Sequence, residues 1–139
     1  MSQRVFVDAN VINDIYDAKR RFHTQSYQCL EYCLQNDITL VTSCDIVTTV
    51  YYITNKTQNA DKSLAALDQV NSIFEIVPFG NQELEIAIAL MQQDKDYHDL
   101  EDTIQYVLAK QADCAVILTN DAGFVAKDMT VINSTDFLH

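Results

Sequence analysis

The residues in this chain best suited to chemistry are aspartates. Asp8 follows the run Arg4-Val-Phe-Val7, Asp121 comes just after Cys114-Ala-Val-Ile-Leu-Thr119, and the pair Asp99 and Asp102 lies between them. The region Asp45–Thr49 is a weaker fourth spot. Carboxylates that are distant in sequence but meet in one pocket offer oxygen ligands to a hard divalent cation. With no histidine or cysteine cluster beside them, the fitting ions are Mg2+ and Mn2+. Like charges packed together repel, so such a cluster is poorly tolerated unless a cation offsets it. The chemistry this supports is phosphodiester hydrolysis: a bound metal lowers the pKa of water, orients it for attack and stabilises the leaving oxygen. No serine, cysteine or histidine arrangement competes as a nucleophile-and-base pair. His23 and His98 read as surface residues, although His98 adjoins Asp99.

The elements that must position these acids alternate. Arg4–Val7, Thr39–Thr42, Phe74–Val77, Ala115–Thr119 and Thr130–Ile132 are short, apolar and β-branched, as buried parallel strands read. Helical stretches fill the intervals at about 11–18, 22–35, 45–56, 60–72, 81–92 and 99–112. Alternating strands and helices predict an α/β protein, a three-layer α/β/α sandwich around a mainly parallel sheet. Right-handed crossovers place the strand C-termini on one edge, where ligands bind in such sheets. Asp8 and Asp121 both fall on that edge.

Each acid also has a purely structural role open to it. Asp8 can cap a helix starting near Val11, as can Asn10, and Asp121 in Thr119-Asn-Asp-Ala-Gly123 can be a turn residue. Asp99 and Asp102 can cap and charge the start of their helix. In that helix Leu100, Ile104, Val107 and Leu108 make an apolar stripe, with Asp99, Asp102, Thr103 and Tyr106 opposite. The functional reading draws its weight from several acids predicted for one sheet edge.

Composition narrows the field. At 139 residues and 15.8 kDa, one domain over 1–139 is expected, with enough apolar residues for a core without staples. No apolar run is long enough to span a membrane and the N-terminus lacks a secretory pattern, so a cytoplasmic protein is expected. Gly80, Gly123 and Pro78 are the whole glycine and proline complement, which excludes a phosphate loop or a dinucleotide fingerprint. Cys29, Cys33, Cys44 and Cys114 lack metal-ligand spacing and read as reduced core residues. A net charge of −11 argues against a dedicated DNA-binding surface and suits a basic partner. The one basic cluster, Lys19-Arg20-Arg21, reads as a solvated helix end or a phosphate contact.

Three motifs in order resemble the PIN-domain family, and within it the bacterial ribonuclease toxins of the VapC kind. The opening Val7-Asp8-Ala-Asn10-Val11 is similar to the family's first-strand motif. Asp99-Leu-Glu-Asp102-Thr-Ile-Gln-Tyr106 resembles its central acidic motif, and Leu118-Thr119-Asn-Asp121-Ala-Gly-Phe124 its last. The ending Ser134-Thr-Asp136-Phe-Leu138 also fits. The resemblance implies a metal-dependent endoribonuclease with Asp8, Asp99, Asp102 and Asp121 as catalytic residues. Asp8, Asp102 and Asp121 would hold Mg2+ or Mn2+, with Asn10 and Thr119 in support. It also implies an RNA substrate, a small antitoxin partner and a homodimer.

One departure stands out. Many family members place an acid in the helix after the second strand, where this chain has Thr49, a poor substitute for a carboxylate. Asp45, one turn earlier, offers either a replacement charge or a helix cap. A PIN-like binding module without catalysis is therefore the main rival. A phosphatase of the haloacid dehalogenase type also opens on an Asp after its first strand, but its second acid would stand where Asn10 is.

Overall fold

Five apolar runs pair, all in parallel, into one sheet. β1 (Arg4–Val7), β2 (Thr39–Ser43), β3 (Phe74–Val77), β4 (Val116–Leu118) and β5 (Thr130–Ile132) lie in the order β3-β2-β1-β4-β5. The computed structural model describes residues 3–139. β1 is central, and Val5, Phe6 and Val7 are at most 1% exposed because helices cover both faces. Burying side chains of this size contributes about 1.5–3 kcal/mol each, so this strand anchors the fold.

The crossovers build the outer layers. α1 (Ala9–Ile15) and α2 (His23–Gln35) lead from β1 to β2, and α3 (Cys44–Thr57) and α4 (Ala60–Ile73) lead from β2 to β3. α5 (Asn81–Gln93) and α6 (Leu100–Gln111) return from β3 to β4 on the far side of β1. Right-handed connections then put α1 to α4 on one face and α5 and α6 on the other. The helix packing agrees: α1 lies on α2 and α3, α3 on α4, and α5 on α6. Because the chain leaves β1 toward β2 and comes back at β4, the neighbouring ends of β1 and β4 form a switch point. In register there, Val7 pairs with Leu118.

Two helix ends set the entry into the central strands. Asp37 and Asp113 have φ of 57° and 56°, in the left-handed region. At each, the next residue reaches back to the last turn: Ile38 N–H to Cys33 O at 3.0 Å, and Cys114 N–H to Ala109 O at 2.9 Å. This is the closure that glycine usually provides; aspartate tolerates it better than most residues.

Several sequence expectations need correction. α1 begins at Ala9 and ends at Ile15, because Asp8 caps it directly. Residues 17–22 turn instead of continuing the helix, with Arg20 N–H bonded to Asp17 O and His23 N–H to Arg20 O. A short α7 (Ser134–Phe137) packs against α2 and was not foreseen; four residues are too few for a periodic signal. The two-sided reading of α6 also fails. Thr103 and Tyr106 are 1% and 8% exposed, whereas Leu100 of the expected apolar stripe is 45% exposed. α6 is enclosed from Thr103 to Ala109, so its polar residues face protein rather than water. Cys44 is exposed as the first residue of α3, not a core cysteine. Cys29, Cys33 and Cys114 are buried, and burial pushes their thiols up to about 12, 11 and 11, which keeps them protonated and inert. Among the described residues, no helix is long and apolar enough to cross a membrane.

Candidate active site

Asp8 stands at the switch point and is 5% exposed. Its Oδ1 accepts the Ala9 N–H at 2.6 Å as the cap of α1. Its Oδ2 accepts from the Thr119 hydroxyl at 2.9 Å and from Asn10 Nδ2 at 3.0 Å. Asn10 Nδ2 also reaches Thr119 Oγ1 at 3.1 Å, and Asn10 Oδ1 accepts the Asn120 N–H at 2.9 Å. The ends of β1 and β4 are thus stitched by Asp8, Asn10 and Thr119. Burial raises the Asp8 pKa, while the donors Thr119 and Ala9 pull it back and the charge of Asp121 adds to the rise.

Asp102 enters from the first turn of α6. Its pKa is pushed up to about 7 by desolvation, then by the charges of Asp99, Asp8, Asp121 and Glu101. This mutual repulsion places the four expected acids in one electrostatic neighbourhood. Their oxygens are nonetheless engaged separately. Asp99 is exposed and caps α6, its Oδ1 accepting the Asp102 N–H at 2.9 Å. Asp121 closes its own turn, with Oδ1 accepting the Gly123 N–H at 2.9 Å and its N–H donating to Thr119 Oγ1 at 3.1 Å. Among the described residues, no three histidine, cysteine, aspartate or glutamate side chains stand at metal-holding separation. The donor set is entirely anionic oxygen, and this chemistry fits Mg2+ or Mn2+.

In the Thr49 region the capping reading of Asp45 is corrected. The Thr49 hydroxyl donates back to Asp45 O at 3.4 Å, so it is turned to its own helix. Ser43, not Asp45, is the residue preceding α3, and its hydroxyl donates to the Asp45 carboxylate. Glu101 shares the electrostatic neighbourhood of Asp45. Its pKa is raised by desolvation and by the charges of Asp45, Asp8 and Asp99. Sequence reasoning passed over Glu101, although its place between two motif aspartates was an available signal.

A buried polar hub behind the site was also missed. Asp14, 3% exposed, accepts from Arg20 Nε at 2.8 Å, Ser26 Oγ at 3.0 Å and Asn120 Nδ2 at 2.8 Å. Asn120 Oδ1 in turn accepts both the N–H and the hydroxyl of Ser134, each at 2.9 Å. Asn120 therefore ties the loop between Thr119 and Asp121 to α1, α2 and α7. An acid between Ile12 and Ile15 in a run that becomes core was the only hint. Within the basic cluster, Arg20 pairs with Asp14 and the Arg21 guanidinium lies 4.9 Å from the Phe22 ring centroid, while Lys19 and Arg21 are exposed. His98 is exposed, but His23 is half-buried with Nδ1 against Asp14 O at 2.8 Å.

The PIN domain family model matches residues 5–128, a span holding Asp8, Asp99, Glu101, Asp102 and Asp121. The chain belongs to the PIN-domain family. It is 47% identical over 136 residues to Ribonuclease VapC1 of Aquifex aeolicus (strain VF5), covering 98% of this chain and 94% of that one. Its fold is similar to that of VapBC2 from Rickettsia felis, solved bound to a DNA fragment from their promoter. That match has a TM-score of 0.73 at 16% identity, over 94% of this chain and 98% of the other. A toxin-antitoxin complex from Klebsiella pneumoniae matches with a TM-score of 0.70 at 22% identity, over 94% and 97%. At such identities the solved structures bear on the PIN fold alone.

Proposed function

We infer that this PIN-family chain is a ribonuclease of the toxin kind that hydrolyses RNA phosphodiester bonds with the help of Mg2+ or Mn2+. What supports this reading most is that Asp102, on the first turn of α6, feels the charges of Asp8 and Asp121, which stand just past β1 and β4. The 47% identity to a protein named as a ribonuclease supports the substrate class. Asp8, Asp102 and Asp121 would hold the cation, which when bound acidifies water and neutralises charge on the leaving oxygen. The chain's own groups prepare that arrangement. Thr119, Asn10 and the Ala9 N–H fix the Asp8 carboxylate, and Asp99 closes the first turn under Asp102. Glu101 adds a charge near Asp45, where Thr49 brings none.

The same reading covers 1–139 as one PIN-like unit, working in the cytoplasm as a homodimer with a small antitoxin. The −11 charge suits an antitoxin tail bearing arginine or lysine, which would pair with these carboxylates. One observation favours a second reading, a PIN-like module that binds without cutting: the Thr49 hydroxyl is spent on Asp45 O. Cleavage of a mixed-sequence single-stranded RNA panel with Mg2+, Mn2+ or chelator separates the two, with Asp121→Asn protein run alongside. Metal-dependent cutting lost in the variant is expected. Equal cutting by both proteins marks a contaminant, and no cutting together with no metal-induced stabilisation selects the binding module.

A further inference from the structure

The one basic cluster of the chain is tied to the loop of Asp121, although no step of the reading above uses it. Lys19, Arg20 and Arg21 occupy the turn between α1 and α2. Arg20 is the fixed member. Its Nε donates to Asp14 Oδ1 at 2.8 Å, and the other oxygen of that carboxylate accepts from Asn120 Nδ2 at 2.8 Å. Asn120 directly precedes Asp121, so two hydrogen bonds lead from the guanidinium to the loop of the last acid. The Arg20 side chain is 34% exposed, and its Nη atoms donate no hydrogen bond among the described residues. Asp14 thus holds the guanidinium by one N–H and leaves the Nη groups for a ligand. Lys19 and Arg21 on either side are exposed.

The surroundings of the cluster suit a single-stranded polyanion. α2 begins at His23 with no capping side chain and no acid in its first turn, whereas every other helix has a side-chain cap, an acid there, or both. In a chain with twenty acidic residues, this leaves the positive end of a helix dipole beside the three cations. Aromatic rings are interleaved with them. The Arg21 guanidinium lies 4.9 Å from the Phe22 ring centroid, and the His23 ring lies 5.9 Å from that of Tyr27, which is 45% exposed. Cations for the backbone beside ring faces for the bases are what holds a single strand without regard to sequence. The opposing charges nearby are already engaged: Asp14 is paired with Arg20, and Asp17 Oδ1 accepts the Lys19 N–H at 3.0 Å. We propose that Lys19, Arg20 and Arg21 form a phosphate-binding rim that grips single-stranded RNA on the Asp121 side of the site. A cluster that only solvated a turn would need neither the tie from Arg20 to the Asp121 loop nor an acid-free helix start. The inference rests on the hydrolase reading above and names where its substrate is held.

The test is the double variant Lys19→Gln/Arg21→Gln, because removing Arg20 would leave the buried Asp14 without its cation and threaten the fold. Binding of a fluorescent single-stranded RNA is followed by anisotropy over a range of salt, parent and double variant both carrying Asp121→Asn so that the RNA stays intact. The slope of log Kd against log salt should flatten by about 1.4, which is about 0.7 for each lost phosphate contact. With Asp121 restored, KM for RNA should rise severalfold. The kcat and the Kd for Mn2+ should stay within about twofold of the parent, because the lost contacts act equally before and in the transition state. Either an unchanged salt slope or an unchanged KM in the folded double variant overturns the proposal and leaves the hydrolase reading standing. A fall in kcat or Mn2+ affinity with KM unchanged overturns it too, and marks a turn that is merely structural. Wild type that neither cuts RNA nor binds Mn2+ overturns both.

Discussion

Asp102 carries a stability cost that can be measured without RNA. Its folded pKa of about 7 lies above the ordinary 3.8, so between those values the native state holds a proton that the unfolded chain has released. Stability of the metal-free protein should therefore fall as pH rises from about 4 to 7 and stay reduced above that. Asp102→Asn removes the penalty. We expect it to raise the metal-free melting temperature by several degrees at pH 8 and to leave it nearly unchanged at pH 4, by calorimetry at both values. An equal difference at the two pH values would contradict the assignment. Thr119→Val probes the support of Asp8. The buried hydroxyl donates to Asp8 and accepts from Asn10 and the Asp121 N–H, so its loss should destabilise by about 1–3 kcal/mol in urea and cut the cleavage rate at least tenfold. At this scale the sequence was readable where a residue's type and its place after a strand agree, as for Asp8 and Asp121. Glu101 and Asp14 were not readable, because each depends on what another element brings opposite to it.

Elements rather than single side chains decide where the last acid stands. The loop carrying Asp121 is held by Asn120, which joins Asp14 and Ser26 on one side and Ser134 on the other. Asn120→Ala leaves Asp14 and the Ser134 hydroxyl short of a partner inside the protein. A loss of about 1–3 kcal/mol in chemical denaturation is expected, with earlier hydrogen exchange at α7 than in wild type. Unchanged exchange there would mean that the loop and α7 are fixed independently. The entry to β4 offers a contrary test: Asp113→Gly, at φ 56°, should stabilise by about 0.5–1 kcal/mol in the same assay. The strands were legible because buried parallel strands are plain apolar runs. The burial of α6 was not, since Thr103, Gln105 and Tyr106 break the apolar stripe yet face the core. Nor was α7, whose Asn133 cap and single turn are too local to stand out.

Across the whole molecule, an excess of eleven negative charges surrounds a site that must admit a polyanion. On the proposed reading, that balance would make a cation part of substrate approach as well as chemistry, and a basic antitoxin tail a natural competitor. A ligand at about a hundred times its Kd stabilises a folded protein by about 2.7 kcal/mol. Saturating Mn2+ should accordingly raise the melting temperature of wild type at pH 7.5, where Asp102 is at least partly ionised. The order of motifs along the chain made this global arrangement legible, because a parallel sheet sends its strand ends to one edge whatever the helices do in detail. The distances between acids were beyond it, and the structure has them neighbouring one another yet bonded locally.

The measurement that bears most directly on the central claim is calorimetric titration of Mn2+ into wild type, Asp8→Asn and Asp102→Asn at pH 7.5. One site built from acids of β1's end and α6 predicts saturable binding in wild type and at least tenfold weaker binding in each variant, with all three proteins folded. Binding of equal strength in all three, or none in wild type, would contradict it.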